Sequence, residues 1–337
     1  MRSRTAPACV CVPARNEAER LPRLLEALAA HALPERLQVV LAINNTVDRS
    51  AAVARACADS LRHRLDIQIH EATFAPELAH AGSARRLAMD LGAARVGPAG
   101  VLLSTDADAR PSPDWVSANL RALAGGLDIV GGHLVLDEDE PLPPAVDLLH
   151  RRLEHYWSQV RVIEDALDPV AWDPPPRHAD HTGASLALRV TTYHAVGGVP
   201  VIPSSEDVAL VRAVLALGGR LGHPADVHVR VSPRRHGRAQ GGMAECMDAL
   251  HHTASAGEVP RVPALHHWHT RAAWRHAVRR QGGCALVHAL EPALPALPLD
   301  LALDDAWLAP EPYLWLRPPH LAGQRNGAAS DDAAAVA

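Results

Sequence analysis

The sequence predicts an α/β protein built on a mixed, mostly parallel sheet with flanking helices and a helical C-terminal extension. Three observations carry that expectation. Short β-rich runs alternate with longer segments of helical period through the first half, the order in which parallel strands and crossover helices follow one another. The apolar run Val101-Leu102-Leu103 ends in Ser104-Thr105-Asp106-Ala107-Asp108, the pattern of a buried strand that delivers polar groups at its end. The 337 residues exceed one typical domain and suit a large α/β unit with an appendage.

The elements follow in order. Residues 8–12 read as a first strand and 17–31 as a helix with Leu21, Leu24, Leu25 and Leu28 on one face. A second strand over 38–44 precedes a helix near 50–64, and a third strand over 66–70 precedes a helix over 81–95. The strand 101–104 then presents the aspartates. After it come a helix over 113–123, a strand around 128–136 and a long helical stretch over 144–166. A proline-rich loop over 168–180 leads into a strand pattern over 182–189. The helix 206–217 stops at Gly218-Gly219, and a strand after Ala225 runs to Val231. Beyond about residue 242 the chain turns to helices rich in His, Trp and Arg. The expected division is one α/β domain over 1–242, a helical and proline-rich extension over 243–320, and a small, polar, disordered tail over 321–337.

Composition excludes several classes. A formal net charge of -5 gives no global basic field, so nucleic acid is not the expected partner. There is no lysine; all 33 basic residues are arginine, so an arginine here is weaker evidence of function than in an average protein. Cys9 and Cys11 alternate with valines as core-packing thiols do, and the five cysteines form no Cys-x-x-Cys pair. Met1–Pro7 has no apolar signal-peptide run, and the apolar stretch 284–308 is broken by His288, Glu291, three prolines and three aspartates. A cytoplasmic protein is the expectation, with a peripheral membrane or anionic-acceptor contact as one reading of Arg271, Arg275, Arg279 and Arg280 near Trp268 and Trp274. The run Leu265-His266-His267-Trp268-His269 is not expected to bind zinc, because adjacent residues of a helix face different ways.

The chemistry gathers in a few motifs. Carboxylates at i and i+2 of an extended chain point the same way, so Asp106 and Asp108 can converge on one hard cation, Mg2+ or Mn2+. Pro13, Arg15 and Asn16-Glu17 form a strand-to-helix turn whose backbone N–H groups suit an anionic ligand, or which simply starts a helix. Asn44, Asn45 and Asp48 follow the second strand. Gly82 permits close backbone approach, and Arg85 or Arg86 can fork onto phosphate oxygens. His181-Thr182-Gly183-Ala184-Ser185 lines or simply packs a strand. Ser204-Ser205-Glu206-Asp207 opens an apolar helix, with Ser205 as its cap and two acids in its first turn. Last, the glycine-rich loop over 232–242 carries Arg235 and Arg238, which can close over a diphosphate.

In this order the motifs resemble the family 2 glycosyltransferases of the GT-A (Rossmann-like) fold, over roughly residues 7–242. The resemblance implies a nucleoside diphosphate sugar as donor, with base and ribose held by Pro13, Arg15, Glu17, Asn45 and Asp48. It implies diphosphate contacts from Arg85, Asp106, Arg235 and Arg238, and a metal held by Asp106 and Asp108. Glu206-Asp207 is similar to the family's acidic pair, which implies Asp207 as the base that deprotonates a hydroxyl acceptor, and inversion at the anomeric carbon. The family's Gln-x-x-Arg-Trp segment is missing, which points to transfer of a single sugar rather than processive synthesis. Two rivals compete with this: a nucleotidyltransferase acting on a sugar phosphate, and a noncatalytic nucleotide-sugar-binding scaffold.

Overall fold

The computed structural model describes residues 6–237, 242–305 and 307; Arg238 and the tail expected over 321–337 lie outside them. The chain begins with β1 (Ala8–Ala14), α1 (Leu21–Ala29), β2 (Leu37–Asn44), α2 (Ser50–Leu61), β3 (Leu65–Ala72), α3 (Ala81–Val96) and β4 (Val101–Ser104). Next come β5 (Ala109–Pro111), α4 (Trp115–Ala124), β6 (Ile129–Gly131), β7 (His133–Leu136), α5 (Pro144–Leu167), β8 (Leu186–Arg189) and α6 (Val190–Ala195). The remainder is α7 (Glu206–Ala216), β9 (Leu221–Gly222), β10 (His228–Val231), α8 (Met243–Ala256), β11 (Arg261–Val262), α9 (Leu265–Leu290) and β12 (Leu301–Ala302).

A seven-stranded sheet in the order β3-β2-β1-β4-β8-β6-β9 forms the centre. It is parallel except at β8, which runs antiparallel to both β4 and β6. Period-two alternation sorts β1 between two cores: Val10 and Val12 pack on one face with Leu21, Leu24, Leu25 and Leu28 of α1, and Cys9 and Cys11 pack on the other with Ala88 and Met89 of α3. Both cysteines are fully buried, and burial pushes the Cys11 thiol up, so they are packing groups as their spacing predicts. The four α1 leucines are at most 1% exposed; each contributes roughly 1.5–3 kcal/mol of apolar transfer.

Where the segment 128–136 reads as one strand, the structure has two, in different sheets. A Cβ at Gly132 would overlap the Ser185 side chain, so the chain bends there. Its continuation, β7, joins the small sheet β5-β10-β7 beside the β4 end. The expected strand over 182–189 begins only at Leu186, because residues 182–185 close a turn with Ser185 N–H on Thr182 O at 3.0 Å. The first helix begins at Leu21 rather than Glu17; a turn from Glu17 to Arg20 precedes it.

The C-terminal helices pack on α5. Trp268 Nε1 donates to Tyr156 Oη at 2.6 Å, and Tyr156 Oη donates to Pro263 O at 2.7 Å. Helix α9 is interrupted at Gly282 and Gly283, the latter at φ 71°. Among the described residues no helix is long and apolar enough to cross a membrane.

Candidate active site

Parallel strands β1, β2 and β4 end at one edge, so the turns that follow them meet there with the start of α7 and the loop after β10. Together they enclose a cavity of about 420 Å³. Of the residues singled out from sequence, Pro13, Arg15, Glu17, Arg85, Asp106, Asp108, Glu206 and Asp207 line it. Asn44 borders it too, a position the sequence left without a role of its own.

Arg85 sits at the centre. It is 4% exposed and reaches from α3 into four acceptors: Nε donates to Glu206 Oε1 at 2.9 Å, Nη1 to Ser104 Oγ at 2.7 Å and Gly183 O at 2.9 Å, and Nη2 to Asp106 Oδ1 at 2.8 Å. Burial works against its charge, but Asp106, Glu206 and Asp207 outweigh it and raise its pKa further. All three guanidinium nitrogens are thus engaged with protein atoms. Arg85 ties the strand-end aspartate to the acidic pair of α7, a different task from forking onto phosphate. The glycines around it are there for space: a Cβ at Gly183 would overlap the Arg85 guanidinium, and one at Gly82 the Ile202 carbonyl.

Asp207 lines the same cavity. Its Oδ2 accepts from Gly183 N at 2.5 Å and its Oδ1 from Val208 N at 2.7 Å. The two N–H donors fix the carboxyl group, and each of its oxygens keeps a further lone pair for an incoming proton. Ser205 precedes the helix but makes no side-chain cap, because its backbone is left-handed at φ 59°. That conformation costs about 1–3 kcal/mol in a non-glycine residue and sets the angle at which Glu206 and Asp207 enter the site.

Asp108 faces the turn after β1. Arg234 Nη2 lies 2.9 Å from Asp108 Oδ2, and the same guanidinium grips Glu17 through Nη2 at 2.9 Å and Nη1 at 3.1 Å. Burial, with Asp106 and Glu17 nearby, pushes the Asp108 carboxyl up to about 6 although Arg234 pulls it down. Arg85 takes Asp106 Oδ1 and Arg234 takes Asp108 Oδ2; among the described residues no hydrogen bond engages the second oxygen of either. Two carboxylate oxygens on one cavity wall are the hard donors that Mg2+ or Mn2+ accepts, so the residues fit such an ion.

Other expected contributors lie differently. Asn45 takes φ 45°; its Nδ2 donates to Phe74 O at 2.9 Å and its Oδ1 accepts from Phe74 N at 3.1 Å, so its amide pins a loop. Asp48 accepts from Ala18 N at 3.1 Å and Ser50 N at 2.9 Å. With Thr46 Oγ1 on Asn16 N and Ser50 Oγ on Glu17 N, these side chains take the N–H groups of residues 16–18. The expectation of free N–H groups there for an anion is therefore corrected: the loop after β2 uses them. Arg235 reaches Asp248 at 2.8 Å, and among the described residues of that loop Arg234 is the arginine that lines the cavity. The sequence had no signal to prefer one of two adjacent arginines beyond the end of β10.

A second histidine-rich region lies under the loop 178–183. His133 Nδ1 is 2.7 Å from Asp180 Oδ2, and His178 Nδ1 accepts from Asp180 N at 3.2 Å. One atom from each of these three residues lies within 4.8 Å of the others, near enough for an ion. The His178 Nδ1 is thus taken by a backbone N–H, and its buried Nε2 has no hydrogen-bond partner among the described residues. His223 Nδ1 lies 2.8 Å from Asp173 Oδ2 and its Nε2 3.4 Å from His181 Nδ1. His266 and His267, expected from sequence to face different ways, instead have ring centroids 3.9 Å apart, and with Asp300, 2.8 Å from His267 Nε2, they offer ligand atoms within 4.8 Å of one another.

Comparison with known proteins agrees with this architecture. Residues 9–166 match the model of glycosyl transferase family 2. No curated protein matches the chain significantly. Among solved structures the fold is shared with the mannosyltransferase PcManGT from Pyrobaculum calidifontis in complex with GDP-Man and Mn2+. That structure is 19% identical at a TM-score of 0.50, with 85% of this chain and 79% of that one covered. S. aureus TarS 1-349 in complex with UDP-GlcNAc is 12% identical at a TM-score of 0.49, covering 81% and 72%. A longer S. aureus TarS chain is matched over only 36% of its length, at 12% identity, a TM-score of 0.47 and 67% of this chain. The match over residues 9–166 and the central sheet together make this an α/β chain of the GT-A fold that is similar to glycosyl transferase family 2 over that segment.

Proposed function

We propose that this enzyme transfers a single sugar from a nucleoside diphosphate sugar to a hydroxyl acceptor, with inversion, in the α/β domain over 1–242. The described part of the extension, α8 and α9, packs on α5 of that domain. The observation that carries the reading is one cavity lined by Asp106, Asp108 and Asp207, with Arg85 bonded to both Asp106 and Glu206. GDP-Man and Mn2+ bound to the Pyrobaculum mannosyltransferase support the donor class and the ion.

Asp106 and Asp108 would hold Mg2+ or Mn2+, which supplies positive charge to the departing diphosphate. The chain's own part is positioning and proton transfer. Asp207, fixed by Gly183 N–H, takes the proton of the acceptor hydroxyl. As that proton leaves, the acceptor oxygen bonds to the anomeric carbon while the bond from that carbon to the phosphate oxygen breaks. The nucleoside diphosphate carries away the electron pair. Attack and departure lie on opposite faces, which inverts the centre. Glu206, 4% exposed and bonded to Arg85, orients rather than transfers.

The test is release of nucleoside diphosphate from donor plus an acceptor panel by the wild type and Asp207→Asn. Loss of a general base predicts a fall in kcat of about 10²–10⁴-fold with donor binding retained. Unchanged turnover in Asp207→Asn would remove the base assignment, and pyrophosphate release from a nucleoside triphosphate plus sugar phosphate would favour a nucleotidyltransferase.

A further inference from the structure

Arg234 bridges two turns of the cavity. Its guanidinium serves two carboxylates from separate turns, Glu17 after β1 and Asp108 after β4. Glu17 is 7% exposed, Asp108 17% and Arg234 21% at their side chains, so the triad is mostly shielded from water. The loop that carries Arg234 is anchored one turn earlier: Ser232 Oγ donates to Glu140 Oε2 at 2.8 Å, and Glu140 is itself held by Arg20 at 2.7 Å. The backbone is thus fixed near Ser232, and the long arginine side chain is the part able to swing.

Among the described residues, the other arginines that line the cavity are committed. Arg85 donates to Glu206, Ser104, Gly183 and Asp106, and Arg15 donates to the Ala79 carbonyl at 2.9 Å. Any divalent ion that approaches Asp108 therefore meets the charge of Arg234 on the same carboxylate. A diphosphate arriving with the ion changes the balance, because it offers Arg234 a second anion of the forked geometry that guanidinium prefers.

We propose that Arg234 is a mobile counter-cation of the reaction: it neutralises Asp108 and Glu17 when no donor is bound and moves onto the departing diphosphate when a divalent ion takes Asp108. This rests on the metal reading above and goes beyond it. Its consequence is that ion and nucleotide bind cooperatively, each weakly alone, because neither by itself can both displace Arg234 and receive it. By linkage the coupling is the same whichever binds first. An enzyme of this design does not collect metal ions without substrate.

The experiment measures Mn2+ affinity of the full chain by electron paramagnetic resonance, alone and with UDP or GDP, for wild type, Arg234→Gln and Arg234→Lys. Melting temperatures confirm that each variant is folded. Removing a unit charge a few Å from a divalent ion in a solvent-like medium should tighten Mn2+ binding without nucleotide by on the order of tenfold in Arg234→Gln. The factor by which nucleotide improves Mn2+ binding should shrink correspondingly. Arg234→Lys, which keeps the charge and loses the fork, should stay closer to wild type in nucleotide-free Mn2+ affinity. Mn2+ binding that Arg234→Gln leaves unchanged or weakens overturns this proposal alone. Failure of wild type to bind Mn2+ with either nucleotide overturns the metal reading and this proposal with it.

Discussion

Replacing Arg85 by methionine tests how the site is held together. Methionine fills the stem of the arginine but returns none of its hydrogen bonds, and it leaves Glu206 as a carboxylate only 4% exposed with no cation beside it. Removing one partner of a buried ion pair costs about 3–5 kcal/mol, because the survivor stays desolvated. The bond to Asp106 adds about 1 kcal/mol or less, since that side chain is 37% exposed and water can replace the arginine. At about 2–4 °C per kcal/mol for a domain near this size, a loss on the order of 10 °C is expected. Urea unfolding of wild type, Arg85→Met, Glu206→Gln and the double variant measures the coupling directly. The double variant should regain about 1–3 kcal/mol relative to additivity, because neutralising Glu206 removes the stranded charge. An Arg85→Met loss below about 1 kcal/mol, or strict additivity, would refute the argument that this buried arginine organises the site.

Two further outcomes follow from the same geometry. Gly183→Ala places a methyl group against the Arg85 guanidinium, so it should lower both stability and kcat, and adding Glu206→Gln should restore the former more than the latter; normal activity in Gly183→Ala would contradict the close packing. Burial, and then neighbouring His133 and His223, hold His178 well below the usual histidine pKa; His181 and His228 are likewise lowered, by burial first. The unfolded chain takes up protons near pH 6.5 that these folded rings refuse. Stability is therefore full above about pH 6.5 and is lost as pH falls toward the depressed folded values, by up to about 1.4 kcal/mol per pH unit for each fully shifted ring. Chemical denaturation between pH 7.5 and 5 should show that slope, and His178→Gln should flatten it.

Much of this site could be read along the chain because its parts lie at strand ends, where local pattern dictates position. The run ending at Ser104 had to be a buried strand, and Asp106 and Asp108 had to emerge at its polar rim. Glu206 and Asp207 had to open an apolar helix that stops at a Gly-Gly pair. Elements set by tertiary contact were harder. The break at Gly132 depends on Ser185, more than fifty positions away, and the two-residue strands β9, β11 and β12 exist only through their partners. Asn45 and Asp48 follow the second strand as expected, but their side chains fasten the turn of residues 16–18 and the Phe74 loop, which spacing alone could not show. Arg85 was visible as an arginine expected at a diphosphate; that Glu206, 121 residues later, would claim it was not.

The central claim is that Asp106 and Asp108 form a metal-dependent diphosphate site. Its most direct test is thermal unfolding with UDP or GDP, each with and without Mn2+, for wild type and the Asp106→Asn/Asp108→Asn double variant. A nucleotide at 100 times its Kd should add about 2.7 kcal/mol, a shift of several degrees. The account predicts that shift for one diphosphate in wild type only when Mn2+ is present, and none in the folded double variant. Equal shifts in both proteins, or a shift indifferent to Mn2+, would contradict it.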